Sequence, residues 1–378
     1  MKGNMRFCVP CLFGVEGLVA QELRDMGLEQ VQAENGRVLF SGGWEAMVRA
    51  NLCGRFGERV LLLLGEFPAR SFEELFQGVK ALPWEGLLGK EDAFPVTGSS
   101  LSSQLHSVPD CQAIIKKAIV ERLKAKYKLS WFAESGALHR VRFRILKDQV
   151  SVMVDTSGEG LHKRGYRALS NDAPMKETLA ASLGQLSRLR QDGHLIDPFC
   201  GSGTILIEGA LLARNIAPGL GRAFTAESWG SVPGQLWQQE RERARSLERR
   251  DTGFTAQGFD VDPAAVELTL ANAQKAGVGD CITASVRDVR DFTQEGPYGC
   301  VVCNPPYGER LLDVRQAQEL YRALGQVFQP RRGWSLGVIS PDPEFESLFG
   351  RKADKRRKLY NGMIQCQYYQ YFRGSDKR

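Results

Sequence analysis

Several short runs of this 378-residue chain carry residue types at spacings that could do chemistry. Asp197-Pro198-Phe199-Cys200-Gly201-Ser202-Gly203-Thr204 leads directly into the apolar stretch ILIEGALLA, the pattern of a strand that turns into a helix. Glycines at such a turn let the backbone approach a ligand closely, and the free amides of the helix start face it. A nucleotide-like ligand follows, with Asp197, Phe199, Gly201, Gly203 and Thr204 as its candidate contacts. A dinucleotide fingerprint would need a further glycine three places after Gly203, where Leu206 stands, and no lysine follows the glycines as a phosphate loop requires. Both of those readings fail.

A second predicted strand ends in Gly258-Phe259-Asp260-Val261-Asp262, where the Asp260 carboxylate can accept both hydroxyls of a ribose. Asp288, near the end of a third, is placed to accept a hydrogen bond from an adenine amino group. Taken singly, each acid could equally cap a helix, and Asp262 before Pro263 is an obvious cap. Acids at successive strand ends are harder to explain that way. A fourth strand ends in Asn304-Pro305-Pro306-Tyr307-Gly308, and successive prolines fix the backbone with carbonyls and no competing amides. The Asn304 side-chain oxygen and the Pro305 carbonyl could each accept one N–H of an amino group, with Tyr307 stacked on the attached base. Asn304, Pro305 and Tyr307 are therefore the candidate catalytic residues, and Asn304 also borders the cofactor candidates.

DPFCGSGT, FDVD and NPPYGER in this order resemble the S-adenosylmethionine-dependent class I methyltransferases that act on exocyclic amines. Leu161 to Arg167 (LHKRGYR), followed by APMKETLAASL, is similar more narrowly to the bacterial ribosomal RNA guanine-N2 methyltransferases whose N-terminal part carries a THUMP RNA-binding domain. The resemblance implies S-adenosylmethionine as donor, guanine in large-subunit ribosomal RNA as acceptor, and a seven-stranded sheet whose last strand is antiparallel. It spans essentially the whole chain, and transfer RNA stays open as the substrate.

The elements that must position these residues fall into two patterns. Up to about Asp155 the order is α+β: helices near 14–27, 44–52, 71–82 and 112–128, strands near 36–40 and 59–64, and two alternating strands from 140 to 155 around a Lys147-Asp148 turn. From about Pro174 strands and helices alternate, which argues a parallel sheet covered on both faces. Strands are expected at 195–199, 255–259, 282–286, 299–303 and 335–339, and an Asn361-Gly362 hairpin at the sheet edge. The predicted class is thus α/β: a Rossmann-like class I methyltransferase sheet preceded by an α+β region, ferredoxin-like plus THUMP, that binds RNA. The expected domains are 1–55, 56–160 and 161–378. Residues 217–251, a Gly/Pro/Trp loop and a charged helix, interrupt the last of these and are expected to be a solvated insertion.

With 50 Lys and Arg against 44 Asp and Glu the chain carries +6, which allows a polyanionic partner. The charge is concentrated: residues 113–147 hold ten cations and two acids, whereas residues 1–155 as a whole are only +2. Lys116, Lys117, Lys124 and Arg142 are the expected phosphate contacts there. Lys163, Arg164 and Arg167 are the expected contacts at the domain junction, and the run 351–358 is either an RNA guide or a solubilising loop. Nine cysteines read as reduced core thiols rather than as disulfides or zinc ligands, and no metal is expected. The apolar runs are too short to span a membrane or to form a signal core, so a cytoplasmic protein is expected. A DNA adenine methyltransferase shares NPPY, and a ribosome-assembly factor without catalysis would share the basic face. The junction motif argues against the first, and the full set of site residues against the second.

Overall fold

The computed structural model describes residues 4–167, 175–307, 314–328 and 332–372. Two compact units emerge from the packing: residues 1–11, 19–161 and 223–242 form one, and residues 12–18, 162–222 and 243–378 the other.

The first unit is built on strands β1 (Met5–Pro10), β2 (Glu29–Glu34), β3 (Arg37–Gly42), β4 (Leu61–Pro68), β5 (Val96–Leu101), β6 (Val141–Leu146) and β7 (Gln149–Asp155). Their order in one mixed sheet is β2-β3-β1-β4-β7-β6-β5, with only β5 and β6 parallel. Helices α1 (Glu16–Asp25), α2 (Trp44–Cys53), α3 (Phe72–Ala81) and α4 (Val108–Tyr127) bury apolar residues at helical spacing, among them Cys111, Ile115, Ala118, Ile119 and Leu123 of α4. Ser71 caps α3 through the amide of Glu74, a reciprocal capping box. The β6–β7 hairpin turns on Lys147 and Asp148, both at positive φ (52° and 62°), which matches the right-handed twist of the strands it joins.

The expectation of a solvated insertion at 217–251 is not met. Residues 223–242 pack into the first unit: Trp229 is 1% exposed, stacks on His139 at 4.4 Å and donates from Nε1 to the Leu138 carbonyl at 3.0 Å. Phe224 stacks on Trp237 at 5.1 Å, and the buried Glu240 pairs with Arg49 at 2.8 Å. Aromatic rings that large lower the free energy far more when covered than when left in water.

The second unit contains α5 (Glu177–Leu186), β8 (His194–Asp197), α6 (Thr204–Ala213), α7 (Gly234–Ser246, whose last turn alone belongs here), β9 (Thr255–Asp260), α8 (Pro263–Lys275), β10 (Ile282–Val286), β11 (Gly299–Cys303), α9 (Val314–Val327), β12 (Trp334–Ser340), α10 (Phe345–Phe349), β13 (Lys355–Asn361) and β14 (Ile364–Tyr371). The sheet order is β10-β9-β8-β11-β12-β14-β13. The first five strands are parallel, and β14 runs antiparallel to both β12 and β13, so the last strand of the chain is the antiparallel one, as the sequence led us to expect. Strand order reverses between β8 and β11, so the crevice at their carboxyl ends is where such sheets hold ligands. Basic residues 355–358 lie on β13, the sheet edge, where Lys and Arg discourage pairing with another chain.

Candidate active site

At the end of β8 the chain turns through residues 198–203 before α6 begins. Gly201 and Gly203 both take positive φ, 53° and 78°, which only glycine adopts without strain. A side chain on Gly203 would meet Thr269 Cγ2 at 2.8 Å, whereas beside Gly201 there is open space for a ligand to approach the backbone. Two residues of α8 that sequence reasoning missed hold this turn: Thr269 donates to the Gly201 carbonyl at 2.8 Å and Asn272 to the Ser202 carbonyl at 3.0 Å. Their one signal was a polar side chain on the otherwise apolar buried face of α8, beside Ala265, Val266 and Ala273.

The two acids nearest the turn have separate tasks. Asp260 accepts the Gly201 amide on Oδ2 at 2.9 Å and the Asp262 amide on Oδ1 at 3.1 Å. Each oxygen keeps a further lone pair, so the carboxylate can still receive the two hydroxyls of a ribose. Asp197 is buried and accepts the Phe199 amide at 3.0 Å. Burial drives its carboxyl up to about 8, the amide bond opposing the shift and the nearby Asp260 reinforcing it. Asp262 caps α8, as its place before Pro263 predicted. Asp288 also caps, accepting the Arg290 amide at 2.8 Å and pairing with its guanidinium at 2.9 Å. Asp288 thus caps locally, with its carboxylate a third accessible.

At the end of β11 the Tyr307 hydroxyl donates to the Asn304 side-chain oxygen and accepts from Asn361 Nδ2 at 3.3 Å. Burial pushes the Tyr307 phenol well above its ordinary value, so it remains a donor at any physiological pH. Tyr321 donates to the Pro306 carbonyl at 3.3 Å and itself receives the Ser340 hydroxyl at 3.2 Å, which fixes the turn from α9 and β12. Pro305 is buried between these anchors. The expected stacking role gives Tyr307 no use for its hydroxyl, yet in the structure the hydroxyl is its anchor. Gly308, Glu309 and Arg310 of the motif, with Ala173 and Pro174 of the upstream one, lie outside the described residues. Cys200 and Cys303 are buried, with thiols pushed up, Cys200 to about 12, and act as packing.

The junction cations separate into different environments. Lys163 is exposed, but Arg164 has a side chain only 3% accessible and sits on the buried Glu208 at 3.4 Å, where Tyr166 also donates at 3.0 Å. A phosphate cannot reach it, so the expected RNA contact at Arg164 is corrected to an internal ion pair. Arg167 donates to the Thr204 hydroxyl at 2.6 Å and the Met175 carbonyl at 2.8 Å, and pairs with Glu177 at 3.5 Å. It braces the start of α6 instead of facing outward.

On the first unit, Lys116 pairs with Glu134 at 2.5 Å and lies 3.5 Å from the centre of the Phe94 ring; Lys124 is near Glu121 at 3.5 Å. Arg142 pairs with the buried Asp155 at 2.9 Å, on the strand face opposite Val141, Phe143 and Ile145. Lys117 is exposed. Lys116 and Arg142 are thus held by acids rather than presented, while Lys117, Lys126, Lys128 and Lys147 of the same stretch stay exposed. All nine cysteines are free, and among the described residues no group of three or more His, Cys, Asp or Glu side chains could hold a metal.

A glycine turn at a strand-order reversal, a carboxylate with free lone pairs at the next strand end, and an Asn-Pro-Pro-Tyr turn beside them define an S-adenosylmethionine-dependent class I methyltransferase. The chain belongs to the RMKL-like methyltransferase family, whose domain matches residues 164–370, with an RlmL ferredoxin-like domain at 6–61 and a THUMP domain at 69–155. It is 44% identical over 95% of its length to YpsC of Bacillus subtilis (strain 168), covering 94% of that protein, whose name carries an RNA methyltransferase assignment. It is 35% identical to the ribosomal RNA large subunit methyltransferase K/L of Psychromonas ingrahamii (strain DSM 17664 / CCUG 51855 / 37), over 99% of this chain but 51% of that protein, so it spans about half the relative's length. Among solved structures it matches SMU.472, a methyltransferase by name crystallised with S-adenosylhomocysteine, at 42% identity with a TM-score of 0.94 over 100% of both chains. A protein of Listeria monocytogenes str. 4b F2365, named an N6-adenine-specific DNA methylase, matches at 44% identity and TM-score 0.93 over 98% of this chain and 97% of that one. S-adenosylmethionine is the methyl donor, and its residues here fit: open backbone at Gly201 and unspent lone pairs on Asp260.

Proposed function

We propose that this protein transfers a methyl group from S-adenosylmethionine to the exocyclic N2 amine of a guanine in RNA, with large-subunit ribosomal RNA as the substrate, in the cytoplasm. The observation that carries the reading is the Asn304 side chain. One lone pair of its oxygen is occupied by the Tyr307 hydroxyl, which fixes the amide and leaves the other lone pair for an amine N–H.

The Pro305 carbonyl would accept the second N–H, turning the nitrogen lone pair toward the donor. The sulfonium of S-adenosylmethionine supplies an already activated methyl. This chain therefore contributes chiefly alignment, which can be worth roughly 7–11 kcal/mol of barrier. Gly201, Gly203 and Asp260 would hold the donor, with Asp197, Phe199 and Thr204 shaping the turn. After transfer one N–H proton of the amine leaves to water. A base stacked in a duplex cannot reach such a turn, so the target guanine must be unstacked.

The THUMP match and the names of YpsC and of the K/L enzyme support RNA as the substrate class, and the K/L name supports ribosomal RNA in particular. The Listeria relative's name supports a second reading, adenine N6 of DNA, because the same two acceptors suit any planar exocyclic amine. One experiment decides: labelled donor with ribosomal RNA, transfer RNA or DNA, followed by nucleoside analysis. N2-methylguanosine from ribosomal RNA is expected, and label in N6-methyladenine of DNA would overturn the reading.

A further inference from the structure

Trp131 is the one exposed tryptophan of the six, at 74%, and all six lie among the described residues. Its loop is not loose. The next residue, Phe132, is buried edge-on against Phe94 at 6.3 Å, and Glu134 accepts both Lys116 and the Phe94 amide. Further along, Gly136 donates to Glu91 at 2.7 Å, Ala93 to Ala137 at 2.9 Å and His139 to Ala93 at 2.7 Å. The backbone on the C-terminal side of the indole is thus tied into the fold, and the ring is held out in water.

The surroundings are cationic. Helix α4 ends at Tyr127 and is capped by Lys128, whose left-handed conformation (φ 57°) turns the chain toward Leu129 and Trp131. Lys126 and Lys128 are exposed, five and three positions from the ring. Three acids near this segment are engaged elsewhere: Glu85 with Arg122 at 2.6 Å, Glu134 with Lys116, and Asp92 with the Gly89 and Ala137 amides at 2.7 and 3.2 Å. Leu129, only 36% exposed, adds little apolar area, so the feature is a single exposed ring a few residues along the chain from two exposed lysines rather than a hydrophobic patch suited to a protein partner.

We propose that Trp131, with Lys126 and Lys128, is a nucleotide-stacking site that holds one unpaired base of the RNA substrate through the indole face and its phosphates through the lysines. This rests on the RNA reading above. Every base has a face to stack, so the site selects single-stranded over paired RNA without reading sequence.

The test is binding of a labelled single-stranded oligoribonucleotide and of the corresponding duplex across a salt series. Trp131→Ala should weaken the single strand by about tenfold or more and leave the duplex unchanged. Because a stacking contact releases no counterions, the slope of log affinity against log salt should stay at the wild-type value. Lys126→Gln with Lys128→Gln should instead reduce that slope by about 1.4, the value for two phosphate contacts on a single strand. Trp131→Phe, which keeps a stacking ring, should bind within a fewfold of wild type. Equal single-strand affinity for wild type and Trp131→Ala would overturn the site while leaving the RNA reading intact. Failure of the wild-type protein itself to bind any RNA, with donor affinity intact, would overturn the RNA reading and the site with it.

Discussion

The hydroxyl of Tyr307 donates to the side-chain oxygen of Asn304, and so sets the rotamer of the amide that would receive the acceptor amine. Tyr307→Phe removes that donor and leaves Asn361 without its acceptor. Donor affinity by calorimetry should stay within about twofold, while single-turnover methylation falls by roughly tenfold to a hundredfold, the scale of one positioned hydrogen bond. Asn304→Ala should fall at least as far, and the double variant little further, because both act through one oxygen. Additive losses would separate the two roles.

Asp260 serves the glycine turn and, in our reading, the ribose. Asp260→Ala should weaken S-adenosylmethionine by about 2–4 kcal/mol through the loss of charge-assisted bonds. Isothermal titration of a variant with native circular dichroism checks this, and unchanged affinity would remove Asp260 from the donor site.

Arg167 braces Thr204 and neutralises Glu177, whose carboxyl is already raised by burial. Arg167→Met should destabilise the protein by roughly 3 kcal/mol, since it leaves a buried acid without its partner, and should lower donor affinity. The salt slope of RNA binding should not change. A reduced slope with normal stability would restore Arg167 as a phosphate contact.

Asp197 titrates near 8 in the fold against an ordinary value of 3.8. Between those values the folded protein holds a proton that the unfolded chain has released. The stabilisation linked to this group is therefore complete below about 3.8 and lost as pH rises through about 8. Asp197→Asn still accepts the Phe199 amide and has no charge to bury. Its Tm measured without donor should decline less between pH 4 and 8 than that of the wild type; parallel curves would show that Asp197 is ionised in the fold.

Trp229 packs within the first unit on His139 and within 6.5 Å of Trp44. Trp229→Ala should cost roughly 3–5 kcal/mol, read from denaturant unfolding. A change below about 0.5 kcal/mol would return the insertion to the solvated class.

The sequence alone determined what is local: the strands of the second sheet to within a residue or two, the glycine turn, the cap at Asp262, the Lys147-Asp148 hairpin and the Asn361-Gly362 turn. In each case the period of apolar residues or the φ demanded of a turn residue is written in neighbouring positions. Three strands escaped notice. β2 (EQVQAE) and β5 (VTGSSL) are the two edges of their sheet and bury too little to show an alternating pattern, and β1 (MRFCVP) is short and ends on proline. Only the tertiary structure decided which charges face water. Arg164 meets Glu208, 44 positions away, Arg142 meets Asp155, and Arg49 meets Glu240, 191 positions away. A count of cations along the chain adds them as if all were free, whereas an acid brought close by folding cancels a cation's outward field, and burial removes it from reach altogether. The same holds for residues 223–242, whose charged helix reads as solvated until the aromatic rings beside it find their partners across the fold.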